Sequence, residues 1–176
     1  MIDAVVFDFD GLIVDTESSS FNAWVETYAE YGCTLVEAEP VRPGVIAWLD
    51  EIAALQLPLA IASSSPRHWC GGHLTRLELA PRFSTVMCCD GERPPKPAPD
   101  VYLAACEALG VVPARALAIE DSAHGVTAAK TAGLWCVAVP GPLTRSLDFG
   151  AADVVLTSLA DATLAEVLDR LESIAP

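Results

Sequence analysis

Positive charge is what this 176-residue sequence has least of: ten lysines and arginines face 24 aspartates and glutamates, for a net charge of -14. The basic residues form no patch, so a polyanion such as nucleic acid is excluded as a natural partner. Histidine is scarce too, and no C-x-x-C pair accompanies His68, His73 or His124 to complete a zinc site. The six cysteines (Cys33, Cys70, Cys88, Cys89, Cys106 and Cys136) contain no C-x-x-C pair, so they read as small buried hydrophobes. No apolar run is long enough to span a bilayer. The first residues lack the basic region, apolar stretch and small-residue cleavage site of an export signal. The expectation is a cytoplasmic protein that meets no membrane.

What is present is apolar and regularly punctuated. Hydrophobic residues make up 52% and charged residues 19%, enough to bury the core of one compact unit. Short apolar runs at 2–9, 59–62, 85–89, 116–119, 135–139 and 154–156 have the character of strands covered on both faces. Helix-length segments at 44–55, 67–77, 100–109, 123–132 and 162–174 separate most of them. Gly110 and Gly133 stand where helices stop, and Asp100, Ser122 and Asp161 stand where N-caps belong. Strand alternating with helix predicts an α/β fold, a parallel sheet between two helical layers. In such sheets ligands bind beyond the carboxyl ends of the strands.

Four polar clusters fall at those ends. In Asp8-Phe9-Asp10-Gly11 the two-residue period puts both carboxylates on one side, where their repulsion calls for a cation or a proton. Alone, such a string is as often a turn, a cap or another kind of metal site. Ser63-Ser64-Ser65-Pro66 offers hydroxyls and free N–H groups at a helix mouth, suited to a phosphate oxygen, although a serine-rich N-cap looks the same. Lys96, between Pro95 and Pro97, is presented from a stiff loop or is simply a solvated surface lysine. Glu120-Asp121-Ser122 offers two hard oxygen ligands of the kind magnesium takes, or two carboxylates favouring a helix N-terminus. Singly, each cluster is ambiguous. Together they hold a carboxylate nucleophile, hydroxyls, a cation and a metal-binding acid pair, the inventory for moving a phosphoryl group.

The order of these motifs, DFDGLIVDTE at 8–17, IASSS at 61–65, KPAPDVY at 96–102 and EDSAHG at 120–125, resembles the haloacid dehalogenase-like phosphatases, most closely the branch containing beta-phosphoglucomutase. The resemblance implies a three-layer, Rossmann-like core in which Asp8 attacks phosphorus. Asp10 then protonates the leaving oxygen and later deprotonates water. It implies that Ser63, Ser64 and Lys96 hold the phosphoryl oxygens of a small phosphorylated metabolite. Magnesium would be held by Asp8, the Asp10 carbonyl, Asp121 and Glu120. A phosphomutase, or a phosphate-sensing module without catalysis, remains an alternative.

One stretch departs from that branch, whose members usually insert a multi-helix cap between the first two motifs. Here residues 1–17 and 44–176 are expected to form the core, leaving 18–43 for a vestigial cap: one helix at 18–31 with Phe21, Trp24, Val25 and Tyr28 on one face, and a return at 36–43. An open site, weak selectivity, and either a monomer or a homodimer through that helix are the expectations. His124 reads as solvated or supporting, and Trp24, Trp48, Trp69 and Trp135 as fillers of core and helix faces.

Overall fold

The computed structural model describes residues 1–16, 40–91 and 93–175. Six parallel strands, β1 (Ala4–Phe7), β2 (Leu59–Ser63), β3 (Thr85–Cys88), β4 (Ala116–Glu120), β5 (Trp135–Ala138) and β6 (Val154–Val155), form one sheet in the order β3-β2-β1-β4-β5-β6. Among the described residues, five α-helices connect or follow them: α1 (Val45–Ala54), α2 (Arg67–Arg76), α3 (Asp100–Leu109), α4 (Ala123–Ala132) and α5 (Leu164–Ile174). This is the α/β, doubly wound, three-layer arrangement expected from the alternation of apolar runs.

Alternation along the central strands builds two cores. Val5 and Phe7 of β1 face a layer containing Trp48, Leu49, Leu74, Leu164 and Val167, from α1, α2 and α5. Val6 faces the opposite layer, with Val101, Tyr102, Ala105, Val126 and Ala129 from α3 and α4. Both faces are covered, so the central strands are apolar up to their carboxyl-terminal residues, Ser63 of β2 and Glu120 of β4; each fully buried aliphatic side chain contributes about 1.5–3 kcal/mol. Trp48 sits in the first core and donates its Nε1 hydrogen to the Ala162 carbonyl at 2.9 Å. Cys70, Cys88, Cys89, Cys106 and Cys136 are buried free thiols.

Some boundaries differ from the sequence reading. β1 covers Ala4–Phe7 rather than 2–9, because its pairing begins where β2 and β4 begin, Val5 beside Leu59 and Ala4 beside Ala116. The N-cap of α3 is Pro99, and Asp100 is its first helical residue. Asp161 closes a short 3-10 turn, Leu159–Asp161, and α5 is capped instead by Thr163 in a capping box with Glu166. Ser122 caps α4, its Oγ accepting from the Gly125 N–H at 3.0 Å, and Gly110 and Gly133 end their helices with φ of 69° and 87°.

The helix at 18–31 and the start of the return at 36–43 lie outside the described residues. From residue 40 the path is defined: Val41 bridges Val14, and the Arg42 N–H donates to the Ile13 carbonyl at 2.8 Å. The chain therefore re-enters beside the loop that follows β1. Gly44 then turns into α1 with φ of 86°, and a Cβ there would collide with Leu159 and Ala160.

Candidate active site

The strand order turns at the junction of β1 and β4, with β2 and β3 on one side and β5 and β6 on the other. Such a junction opens a crevice at the carboxyl ends of its two strands. Asp8 follows β1 and Glu120 ends β4, so both border it; β1 and β4 run in register from Ala4–Ala116 to Phe7–Ile119, and the Asp8 N–H continues the ladder to the Ile119 carbonyl at 2.9 Å.

On the β4 side the groups are buried and share one cation. Lys96 Nζ donates to Asp8 Oδ1 at 2.5 Å and to Glu120 Oε1 at 2.6 Å, with the Tyr102 hydroxyl oxygen at 3.4 Å and the Tyr102 ring centre at 4.9 Å. Tyr102 also donates to Glu120 Oε1 at 2.6 Å. Glu120 Oε2 accepts from the backbone of Asp121 at 3.1 Å, the backbone of Ser122 at 3.3 Å and the Ser122 hydroxyl at 3.2 Å. Only glycine fits at 125, where a Cβ would strike the Glu120 carboxylate. The sequence-based reading of Lys96 as a solvated lysine is thereby excluded: its side chain is 6% exposed.

Burial pushes the Asp8 carboxyl up to about 8; Lys96 opposes this, and the charges of Glu120 and Asp10 add to it. Burial alone would lower the Lys96 pKa, but Asp8 and Glu120 overcome it and hold the ammonium above the ordinary lysine value. Burial and the adjacent Glu120 raise Tyr102 well above the usual phenol, keeping it a proton donor.

Asp8, Glu120 and Asp121 are all buried, with one carboxylate oxygen of each lying within 4.8 Å of the others. One lysine cannot neutralise three carboxylates, and a donor set of oxygens alone suits a hard divalent cation such as magnesium. Gly11 supports the cluster, since a Cβ at this left-handed position (φ 76°) would strike the Asp121 carboxylate. The residues present fit a metal.

Asp10 has different surroundings. Its Oδ1 accepts from Thr16 Oγ1 at 2.9 Å and Trp69 Nε1 at 2.8 Å, and its Oδ2 from Ser65 Oγ at 2.6 Å and Ser63 Oγ at 3.3 Å. The Asp10 side chain is not part of the three-carboxylate cluster. Ser63 is buried at the end of β2, whereas Ser64 is exposed and its Oγ accepts from the Lys96 N–H at 3.1 Å, tying the serine loop to the lysine loop.

Asp8, Asp10, Ser63, Ser64, Lys96, Glu120 and Asp121 thus meet on one rim. Thr16, Ser65, Trp69, Tyr102 and Ser122 join them through bonds the sequence reading did not assign. Thr16, Ser65, Tyr102 and Ser122 lay inside the quoted motifs. Trp69, read as a filler, is 40% exposed and reaches Asp10. Arg42 is a further neighbour, donating to the Gly11 carbonyl. His124 is exposed.

The switch point thus holds a buried carboxylate, a lysine on it and a carboxylate cluster beside it. The family model of haloacid dehalogenase-like hydrolases matches residues 27–133. YhcW of Bacillus subtilis, a protein named for phosphatase activity, is 35% identical over 218 aligned positions, covering 98% of this chain and 99% of its own. A phosphorylated-carbohydrate phosphatase of Thermotoga maritima is 29% identical over 178 positions, 76% of this chain and 82% of its own. The crystal structure of a Thermotoga maritima protein described as a beta-phosphoglucomutase superposes with a TM-score of 0.78 at 25% identity, over 99% of this chain and 100% of that one. The chain belongs to the haloacid dehalogenase-like hydrolases and sits among their phosphatases, in the branch of the beta-phosphoglucomutase-like proteins. Among the described residues no helix is long and apolar enough to cross a membrane.

Proposed function

We propose that the chain is a magnesium-dependent phosphatase that hydrolyses small phosphate monoesters through a phosphorylated Asp8. The observation that carries this reading is Asp8 itself: buried at the switch point, 2.5 Å from Lys96 Nζ and grouped with Glu120 and Asp121. An Asp8 oxygen attacks phosphorus as the ester P–O bond breaks, and Asp10 gives its proton to the departing oxygen. In the second half Asp10 takes a proton from water, the water oxygen attacks the acyl phosphate, and Asp8 is released with inorganic phosphate.

Lys96 and the Ser63–Ser64 loop hold the phosphoryl oxygens, placing fixed positive charge and N–H groups where negative charge gathers. Asp8, the Asp10 carbonyl, Glu120 and Asp121 would hold magnesium, which would supply charge neutralisation for the phosphoryl oxygens and for the carboxylates. Burial favours a protonated Asp8, and a proton would block attack, so a cation beside it serves the nucleophile as well as the substrate.

Residues 1–17 and 44–176 form the catalytic core in this reading, and 18–43 a reduced cap. Its support is the alignment with YhcW, whose 218 positions exceed the 176 residues of this chain, so the relative holds residues without counterpart here. The carbohydrate-phosphatase name of a relative supports a phosphorylated small metabolite as substrate. Release of p-nitrophenol from p-nitrophenyl phosphate is expected with magnesium, to stop with EDTA and to be absent in Asp8→Asn. Turnover by Asp8→Asn equal to wild type would overturn the assignment.

A further inference from the structure

We propose that Trp69 is a positioning residue for Asp10, and that it suits the site to alkyl phosphate esters, whose alkoxide leaving groups need a proton. The inference rests on the phosphatase reading above. Trp69 lies in the first turn of α2, whose start is tied to the β3 side by the Arg67 N–H bond to Asp90 Oδ1 at 2.8 Å. The indole packs edge-on against His73, one helical turn later, with ring centres 4.6 Å apart. His73 in turn lies 6.0 Å, ring centre to ring centre, from Phe9, the buried residue between the two aspartates. The path Phe9–His73–Trp69–Asp10 therefore closes on the segment where it begins, and fixes the indole N–H at 2.8 Å from Asp10 Oδ1.

The chemistry of that donor distinguishes it from the other three. Thr16, Ser63 and Ser65 contact Asp10 with hydroxyls, which can turn and accept. An indole N–H can only donate, so it favours the carboxyl form in which Oδ1 is the carbonyl oxygen. The transferable proton is thereby directed to Oδ2. Proton delivery matters when the departing oxygen is a strongly basic alkoxide and hardly at all when it is p-nitrophenolate.

The test compares kcat/KM, which reports the step that phosphorylates Asp8, for glycerol 1-phosphate and p-nitrophenyl phosphate in wild type, Trp69→Phe and Trp69→Leu. Phenylalanine keeps a ring against His73 and removes the N–H. The expected result is a loss in Trp69→Phe about tenfold or more greater for the alkyl than for the aryl ester, the scale of one hydrogen bond to a general acid. Trp69→Leu is expected to show the same selectivity. If Trp69→Phe does not fold, His73→Ala, which removes the ring behind the indole together with its exposed contact to Arg76, should give the same selective loss at smaller size. Equal losses on both esters, or none, would overturn the inference while leaving the phosphatase reading intact. A wild-type protein inert toward both esters would sink the two together.

Discussion

Two aspartates separated by a single residue occupy opposite kinds of surroundings in this molecule. Asp8 is buried, faces a lysine it shares with Glu120, and is grouped with two other acids. Asp10 is half-buried and held by three hydroxyls and an indole, all neutral. In the proposed mechanism these surroundings prepare identical side chains for different tasks, one as a nucleophile governed by charge, the other as a proton carrier governed by hydrogen-bond direction. Pairs of carboxyls divided by environment are how one fold performs acid and nucleophilic chemistry together.

The contrast can be broken first at Asp8. Replacement by asparagine is expected to lower kcat by about four orders of magnitude or more, the scale for loss of a nucleophile, measured with any turned-over ester. Asp10→Asn should cost less, about 10²- to 10⁴-fold, with the larger loss on alkyl esters. Equal losses at the two positions on p-nitrophenyl phosphate would erase the proposed division.

Stability sharpens the comparison from the other direction. Lys96→Met leaves Asp8 and Glu120 facing one another without their cation, and removing one member of a buried charge group costs ~3–5 kcal/mol. A melting temperature lower by roughly 10 °C is expected for the metal-free protein.

The raised Asp8 pKa gives a pH-dependent companion to that result. Between its ordinary value of 3.8 and about 8 the folded protein holds a proton that the unfolded chain has released. The Asp8 contribution to metal-free stability therefore falls as pH rises through that interval. A divalent cation competes with the proton, so magnesium should raise the melting temperature more above about pH 8 than near pH 5. An equal rise at both would remove Asp8 from the proposed metal set. The smallest effect is expected far from the rim: Thr163→Ala loses the capping box of α5, about 1 kcal/mol, with kcat unchanged.

Much of this arrangement could be read from the chain. The central strands are buried on both faces, so apolar runs marked them, and the rule that ligands gather at their carboxyl ends brought seven scattered residues to one rim. The resemblance to a known branch supplied their proposed roles. Helix starts were less legible where two residues compete: the Thr163–Glu166 box lay in the sequence as T-x-x-E and outweighed Asp161. Trp69 was passed over because composition treats tryptophan as bulk, and only the fold brings its N–H to Asp10, 59 positions away. The sharing of Lys96 by Asp8, Glu120 and Tyr102 joins residues 88, 24 and 6 positions apart, so no local pattern announces it.

The most direct measurement is an acid-quenched single turnover with a substrate carrying a labelled phosphoryl group, followed by peptide mapping. Label bound covalently to Asp8, and lost in Asp8→Asn, is the predicted result. Turnover with no label on protein, or label mapped to another residue, would contradict the account.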